Sequence, residues 1–265
     1  MIRASHAEPT IAVSVVAALL AVAVGRTAAG VVLVFFTLLA SQLCIGWTND
    51  WLDAARDAEV GRRDKPIPSG AIGRRTVGIG AIIAGVALIP LALASGWRAG
   101  LVIIVATLAG LAYDWPLKFT AFSIVPYLIA FGGLAAFVPM SKPGPVPPWW
   151  LIMAGALLGG GAHFANTLPD LADDARTGVR GLPHRLGRTG SSIAAAVLLL
   201  AATGLLAFGP RPVTWFAGAT FAAAVVVLPI GWRLARRTDS RAAFQSVLVV
   251  AVLDVILLVA NGARL

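Results

Sequence analysis

Two short polar runs interrupt an otherwise apolar chain, and their residue types suit metal–phosphate chemistry. The first is Asn49-Asp50-Trp51-Leu52-Asp53-Ala54-Ala55-Arg56-Asp57, which ends an apolar stretch that begins near Val31. On a helix, Asn49, Asp53 and Asp57 line one face, with Asp50 beside them. Carboxylates crowded in this way repel one another unless a cation joins them. Their oxygens and the Asn49 amide oxygen are hard donors of the kind Mg2+ accepts while keeping positions open for phosphate. The same spacing returns at Asn166, Asp170 and Asp174, after another apolar stretch. Solvated loops are often acidic, but matched spacing in two separate runs favours two walls of one metal–diphosphate site. Asn49, Asp50, Asp53, Asp57, Asn166, Asp170 and Asp174 are therefore the expected metal ligands.

A diphosphate also needs cationic donors, because these clamp transferring or leaving phosphates. Arg63, Lys65 and Lys118 are the candidates. Tyr113 and Lys118 belong to Tyr113-Asp114-Trp115-Pro116-Leu117-Lys118, at the end of a further apolar stretch. The plainer reading of Lys118 is an anchor whose stem lies in lipid and whose ammonium reaches water. His163 precedes Asn166 by one helical turn, so it either faces the same cavity or packs beside it. Asn49, Arg63, Lys65, Tyr113, Lys118, His163 and Asn166 form the expected substrate-binding set. Asp50, Asp53, Asp170 and Lys118 are the residues expected to carry catalysis.

The elements that must position these groups are membrane helices. Of the 265 residues, 58% are hydrophobic and only 12% charged, with a mean hydropathy of +0.86. Soluble domains carry about 25% charged residues, and apolar runs of about 20 residues read as membrane spans. Nine spans are expected, at 10–25, 29–48, 76–95, 99–113, 121–139, 149–166, 190–208, 213–231 and 242–260. The first is read as a membrane helix rather than a removed signal. With the N-terminus inside, all 21 Lys and Arg residues except Arg26, Arg98, Lys142, Arg211 and Arg264 fall on the inner side. That asymmetry obeys the positive-inside rule and puts both acidic runs at the cytoplasmic face. It also accounts for the net charge of +9 without nucleic acid as a partner. The lone Cys44 excludes a disulfide within the chain. The expected fold is all-α, a single domain over 1–265: nine transmembrane helices in a bundle with cytoplasmic cap loops.

A weak internal repeat supports two facing units. Each acidic run is followed by basic residues and a proline-containing step, Lys65-Pro66-Ile67-Pro68-Ser69-Gly70 and Arg180-Gly181-Leu182-Pro183-His184-Arg185.

These motifs, in this order, resemble the UbiA superfamily of intramembrane prenyltransferases. Asn49 to Asp57 is similar to its NDxxDxxxD signature, Lys65 to Gly70 to the RPLPSG step, Tyr113 to Lys118 to YxxPLK, and Asn166 to Gly187 to its second aspartate motif. Two departures stand out: Asn166 replaces the commoner aspartate, and Lys65 the commoner arginine. The resemblance implies that Mg2+ held by both motifs binds an isoprenyl diphosphate. It further implies transfer of the prenyl group to a second small molecule, often aromatic, in the bilayer of the cytoplasmic membrane.

Two other functions compete. A terpene cyclase of the same superfamily would share the ionisation step, the chain's own double bond capturing the cation. A transporter would place its polar groups near the bilayer midplane in broken helices, whereas here the acids gather at one face. Asp254, deep in the ninth span, is an intramembrane acid and so a functional candidate by default, with no assigned role.

Overall fold

The computed structural model describes residues 7–62, 65–144, 146–238 and 242–264. Among them are ten α-helices and no strands: α1 Ala7–Ala23, α2 Ala28–Glu59, α3 Arg74–Ala94, α4 Trp97–Asp114, α5 Val125–Met140, α6 Trp149–Thr167, α7 Leu171–Arg176, α8 Leu182–Phe208, α9 Trp215–Thr238 and α10 Ala242–Asn261. Each of the nine apolar segments falls on one of these helices. Five of them, α2, α3, α4, α8 and α9, are long and apolar enough to cross a membrane. Large apolar side chains such as Ile82, Ile83 and Val86 on α3 point outward. A soluble monomer rarely exposes a continuous apolar face, so this surface fits lipid.

Local sequence explains where the helices depart from the expected spans. α2 begins at Thr27, whose side chain accepts a hydrogen bond from the Gly30 amide at 3.2 Å. It runs well past residue 48 and carries the whole first acidic run, ending only where Gly61 adopts a left-handed φ of +72°. α6 and α7 do not join. Pro169 lies between them and has no N–H to continue the ladder, so Asn166 sits on one helix while Asp170 and Asp174 follow the break. α8 starts before its apolar part and bends at Gly187, whose φ of +66° suits glycine.

Small residues set the packing. A Cβ on Gly159 would lie 2.5 Å from the Tyr127 carbonyl oxygen, and one on Gly155 would lie 2.8 Å from that of Phe131. α6 therefore touches the α5 backbone directly, as membrane helices do where dispersion replaces the hydrophobic effect. α5 is clasped between α4 and α6, α6 packs on α8, and α2 packs on α3. The end of α2, the end of α4 and the α6–α7 step, which carry the polar residues, meet at one end of this bundle. Replacing Gly159 with valine is expected to part α5 from α6, costing about 1–3 kcal/mol. A thermal midpoint in detergent equal to that of the native protein would refute this packing.

Candidate active site

Three aspartates near the end of α2 are buried, with Asp50 3%, Asp53 5% and Asp57 4% exposed. Carboxylates are almost never buried to this degree unless paired. Two lysines from outside the helix supply the pairing. Lys65 Nζ lies 3.0 Å from Asp50 and 2.9 Å from Asp57. Lys118 donates to both oxygens of Asp53 at 2.6 and 2.7 Å, and to Asn49 Oδ1 at 3.3 Å. Arg56, one turn on from Asp53, donates to it at 2.7 Å. Burial by itself would lower the Lys65 pKa, but Asp50 and Asp57 outweigh it and hold the ammonium above its usual value. For Lys118 burial prevails over Asp53, and its pKa is lowered.

The second acidic run faces the first. Arg56 Nη1 lies 3.9 Å from Asp174 and Arg62 Nη1 lies 3.6 Å from Asp170, so two α2-side arginines reach across to the second run. His184 Nε2 is 3.5 Å from Asp174 on its other flank. Burial raises the Asp174 pKa despite Arg56 beside it. Between the two walls lies a cavity of about 460 Å³. Asn49, Asp53, Asp57, Asn166, Asp170 and Asp174 line it together with Lys65 and Lys118, and Ile45, Ala130 and Phe131 supply apolar wall. Tyr113 also lines it, in edge contact with Tyr127 at 4.9 Å between ring centroids.

The expected residues divide in where they stand. Lys118 is 4% exposed and committed to Asp53, so the lipid-anchor alternative is wrong for it: a 3₁₀ turn at Leu117–Phe119 directs it into the bundle. His163 does not line the cavity. It is buried, shares a 3.0 Å hydrogen bond with Ser123, and packs behind Tyr113 and Tyr127. Ser123 also accepts from the Leu182 amide at 2.8 Å, so His163 belongs to the joint that ties α5 and α6 to the start of α8. Asp50 is held by Lys65 and is likewise not part of the cavity lining. Arg63 lies outside the described residues. Arg56, Arg62, Asp114 and Tyr127 line the cavity without having been singled out. The arginines looked like topology charges, although Arg56 at i+3 from Asp53 is a pairing position. Asp254 is buried on α10, away from the cavity.

No group of three acidic, histidine or cysteine side chains among the described residues is already arranged as a metal cage. The donor chemistry nevertheless fits a hard dication, since carboxylate and amide oxygens from both walls open on one cavity. Ammonium and guanidinium groups neutralise those carboxylates meanwhile.

An all-helical bundle with apolar outer faces and an ion-lined cavity at one end defines a class of membrane-embedded protein. The model of the UbiA prenyltransferase family matches residues 10–253, and the chain belongs to that family. It is 29% identical to the bacteriochlorophyll synthase 33 kDa chain of Rhodobacter capsulatus over 64% of this chain and 60% of that one. It is 30% identical to the digeranylgeranylglyceryl phosphate synthase of Methanopyrus kandleri, over 74% of this chain and 73% of the relative. A UbiA homolog from Archaeoglobus fulgidus, solved bound to GPP and Mg2+, superposes with a TM-score of 0.71 at 15% identity, covering 100% of this chain and 99% of that one. That likeness is one of fold.

The charge balance is directly testable. Lys65→Met leaves Asp50 and Asp57 buried without their shared cation, and breaking a buried pair in this way costs about 3–5 kcal/mol. The thermal midpoint measured in a chelator should fall accordingly. An unchanged midpoint would show that the pair contributes nothing.

Proposed function

We propose that this chain, as one nine-span domain, transfers an isoprenyl group from a prenyl diphosphate to an acceptor within the membrane, at a site open to the cytoplasm. The observation that carries this reading is one cavity shared by both acidic runs, whose wall combines lysines with aromatic and aliphatic side chains. A prenyl diphosphate has the same two-part character. The GPP and Mg2+ held by the Archaeoglobus fulgidus homolog support it.

Asn49, Asp50, Asp53, Asp57, Asn166, Asp170 and Asp174 would hold Mg2+, which when bound supplies positive charge to the diphosphate oxygens. Asp50 would join only by giving up Lys65. Lys65 and Lys118 contact the leaving diphosphate and stabilise the charge it gains as the allylic C–O bond breaks and the electron pair departs with it. Tyr113, Tyr127 and Phe131 face the allylic cation, which favours aromatic faces, and exclude water that would quench it to an alcohol. An electron-rich carbon or heteroatom of the acceptor then captures the cation. The two relatives differ so widely in the products they are named for that neither selects an acceptor for this chain.

Asp53→Ala and Asp170→Ala should each abolish Mg2+-dependent diphosphate release from geranyl diphosphate. Turnover retained in either variant removes the assignment. Mass spectrometry of products separates the related chemistries: a prenylated acceptor supports transfer, whereas cyclic hydrocarbon or alcohol formed without acceptor makes the protein a cyclase.

A further inference from the structure

The cavity does not stop at the acidic runs. Along α2 its wall continues through Gly46 to Gln42, the lining residue of that helix farthest from them. Residues 42, 46, 49, 53 and 57 share one face of an unbroken helix, so Gln42 lies about 10 Å below Asn49. Ile45, Ala130 and Phe131 supply apolar wall to the same cavity. Gln42 makes no hydrogen bond among the described residues. Thr10 of α1 lines the cavity at the same level. The two helices pack as a hairpin, and Thr10 stands thirteen residues before the end of α1 as Gln42 stands fourteen after the start of α2. Next to Gln42 in the chain, Ser41 shares its buried hydrogen bond with Thr107. A polar layer drawn from α1, α2 and α4 thus floors a partly apolar shaft whose mouth is charged.

A ligand that fills the shaft to this depth excludes the water that would solvate the Gln42 amide, and hydrocarbon offers that amide no hydrogen bond in return. Such a floor tolerates a tail that stops above it and opposes one that must lie across it. Two isoprene units in extended form cover about the length from Asn49 to Gln42, and a third carries the tail onto the amide. Resting on the reading that the acidic runs hold the diphosphate, we propose that Gln42 is a specificity-determining residue for prenyl length, and that the donor carries two isoprene units. Thr10 extends the polar floor on the facing helix. An apolar side chain at position 42 then admits a longer tail without altering the diphosphate end. The preference between short and long tails changes, whereas loosened packing would weaken every tail alike.

The test is calorimetric titration of the full chain in lipid nanodiscs with Mg2+ present. The probes are geranyl, farnesyl and geranylgeranyl diphosphate, each corrected for partition into empty nanodiscs. The native protein should bind geranyl diphosphate about tenfold tighter than farnesyl diphosphate, a discrimination of the size pockets reach over a small apolar increment. Gln42→Leu and Gln42→Ala are made in parallel, so that misfolding of one leaves the other. Each should tighten farnesyl diphosphate about tenfold and leave geranyl diphosphate unchanged. Native preference for either longer diphosphate overturns the proposal, as does native binding that ignores tail length. Variants that keep the native ratio, or that weaken all three probes in parallel, overturn it as well. A native protein that binds none of the three overturns the transferase reading together with this one, whereas native binding with any of those other outcomes overturns this one alone.

Discussion

The contact between Lys118 and Asp53 is the constraint around which the working end of this protein is built. A buried carboxylate in a medium of low dielectric needs a cation at contact distance, and its partner must arrive from another element if the pair is to fix tertiary structure. Here the ammonium comes from a 3₁₀ turn between α4 and α5. Lys65 does the same for Asp50 and Asp57 from the loop after α2. Gly181 completes the arrangement, since a Cβ there would lie 2.8 Å from the Lys118 carbonyl oxygen. The step that precedes α8 is therefore pressed against the turn that carries the lysine.

The remaining helices serve this charge cluster by excluding water from one side and lipid from the other. Apolar residues face outward, while glycine and alanine face neighbouring helices, so backbones approach closely enough for dispersion to hold the bundle. Inside it, Ser41 and Thr107 share a 2.7 Å hydrogen bond between α2 and α4. Such bonds hold the two helices whose ends present Asp53 and Asp114. Rigid walls of this kind let a cavity carry several like charges without collapsing or swelling.

The distribution of charge within the cavity follows the same logic. Arg56 bridges Asp53 on α2 and Asp174 on α7, and Arg62 reaches Asp170, so these carboxylates are not left to repel. Arg56, Arg62, Lys65 and Lys118 each pair with a carboxylate of the same cavity.

Composition and spacing alone determined that the chain is helical and built for a membrane, and the ordered motifs pointed to the family to which it belongs. Periodicity carries that information because a helix repeats every 3.6 residues and hydrocarbon tolerates few charges. The one-face alignment along α2 was equally legible, and the helix does continue through Glu59. The second run was misleading on that point, because Pro169 breaks the ladder between Asn166 and Asp170. Partnerships were not legible at all. Arg56 counted as a topology charge, Asp114 entered only as part of its motif, Lys118 stood between phosphate ligand and lipid anchor, and His163 hung between cavity and core. Which cation meets which carboxylate depends on groups brought together from 65 residues away, as Lys118 and Asp53 are, and electrostatic pairing acts through space, not along the chain.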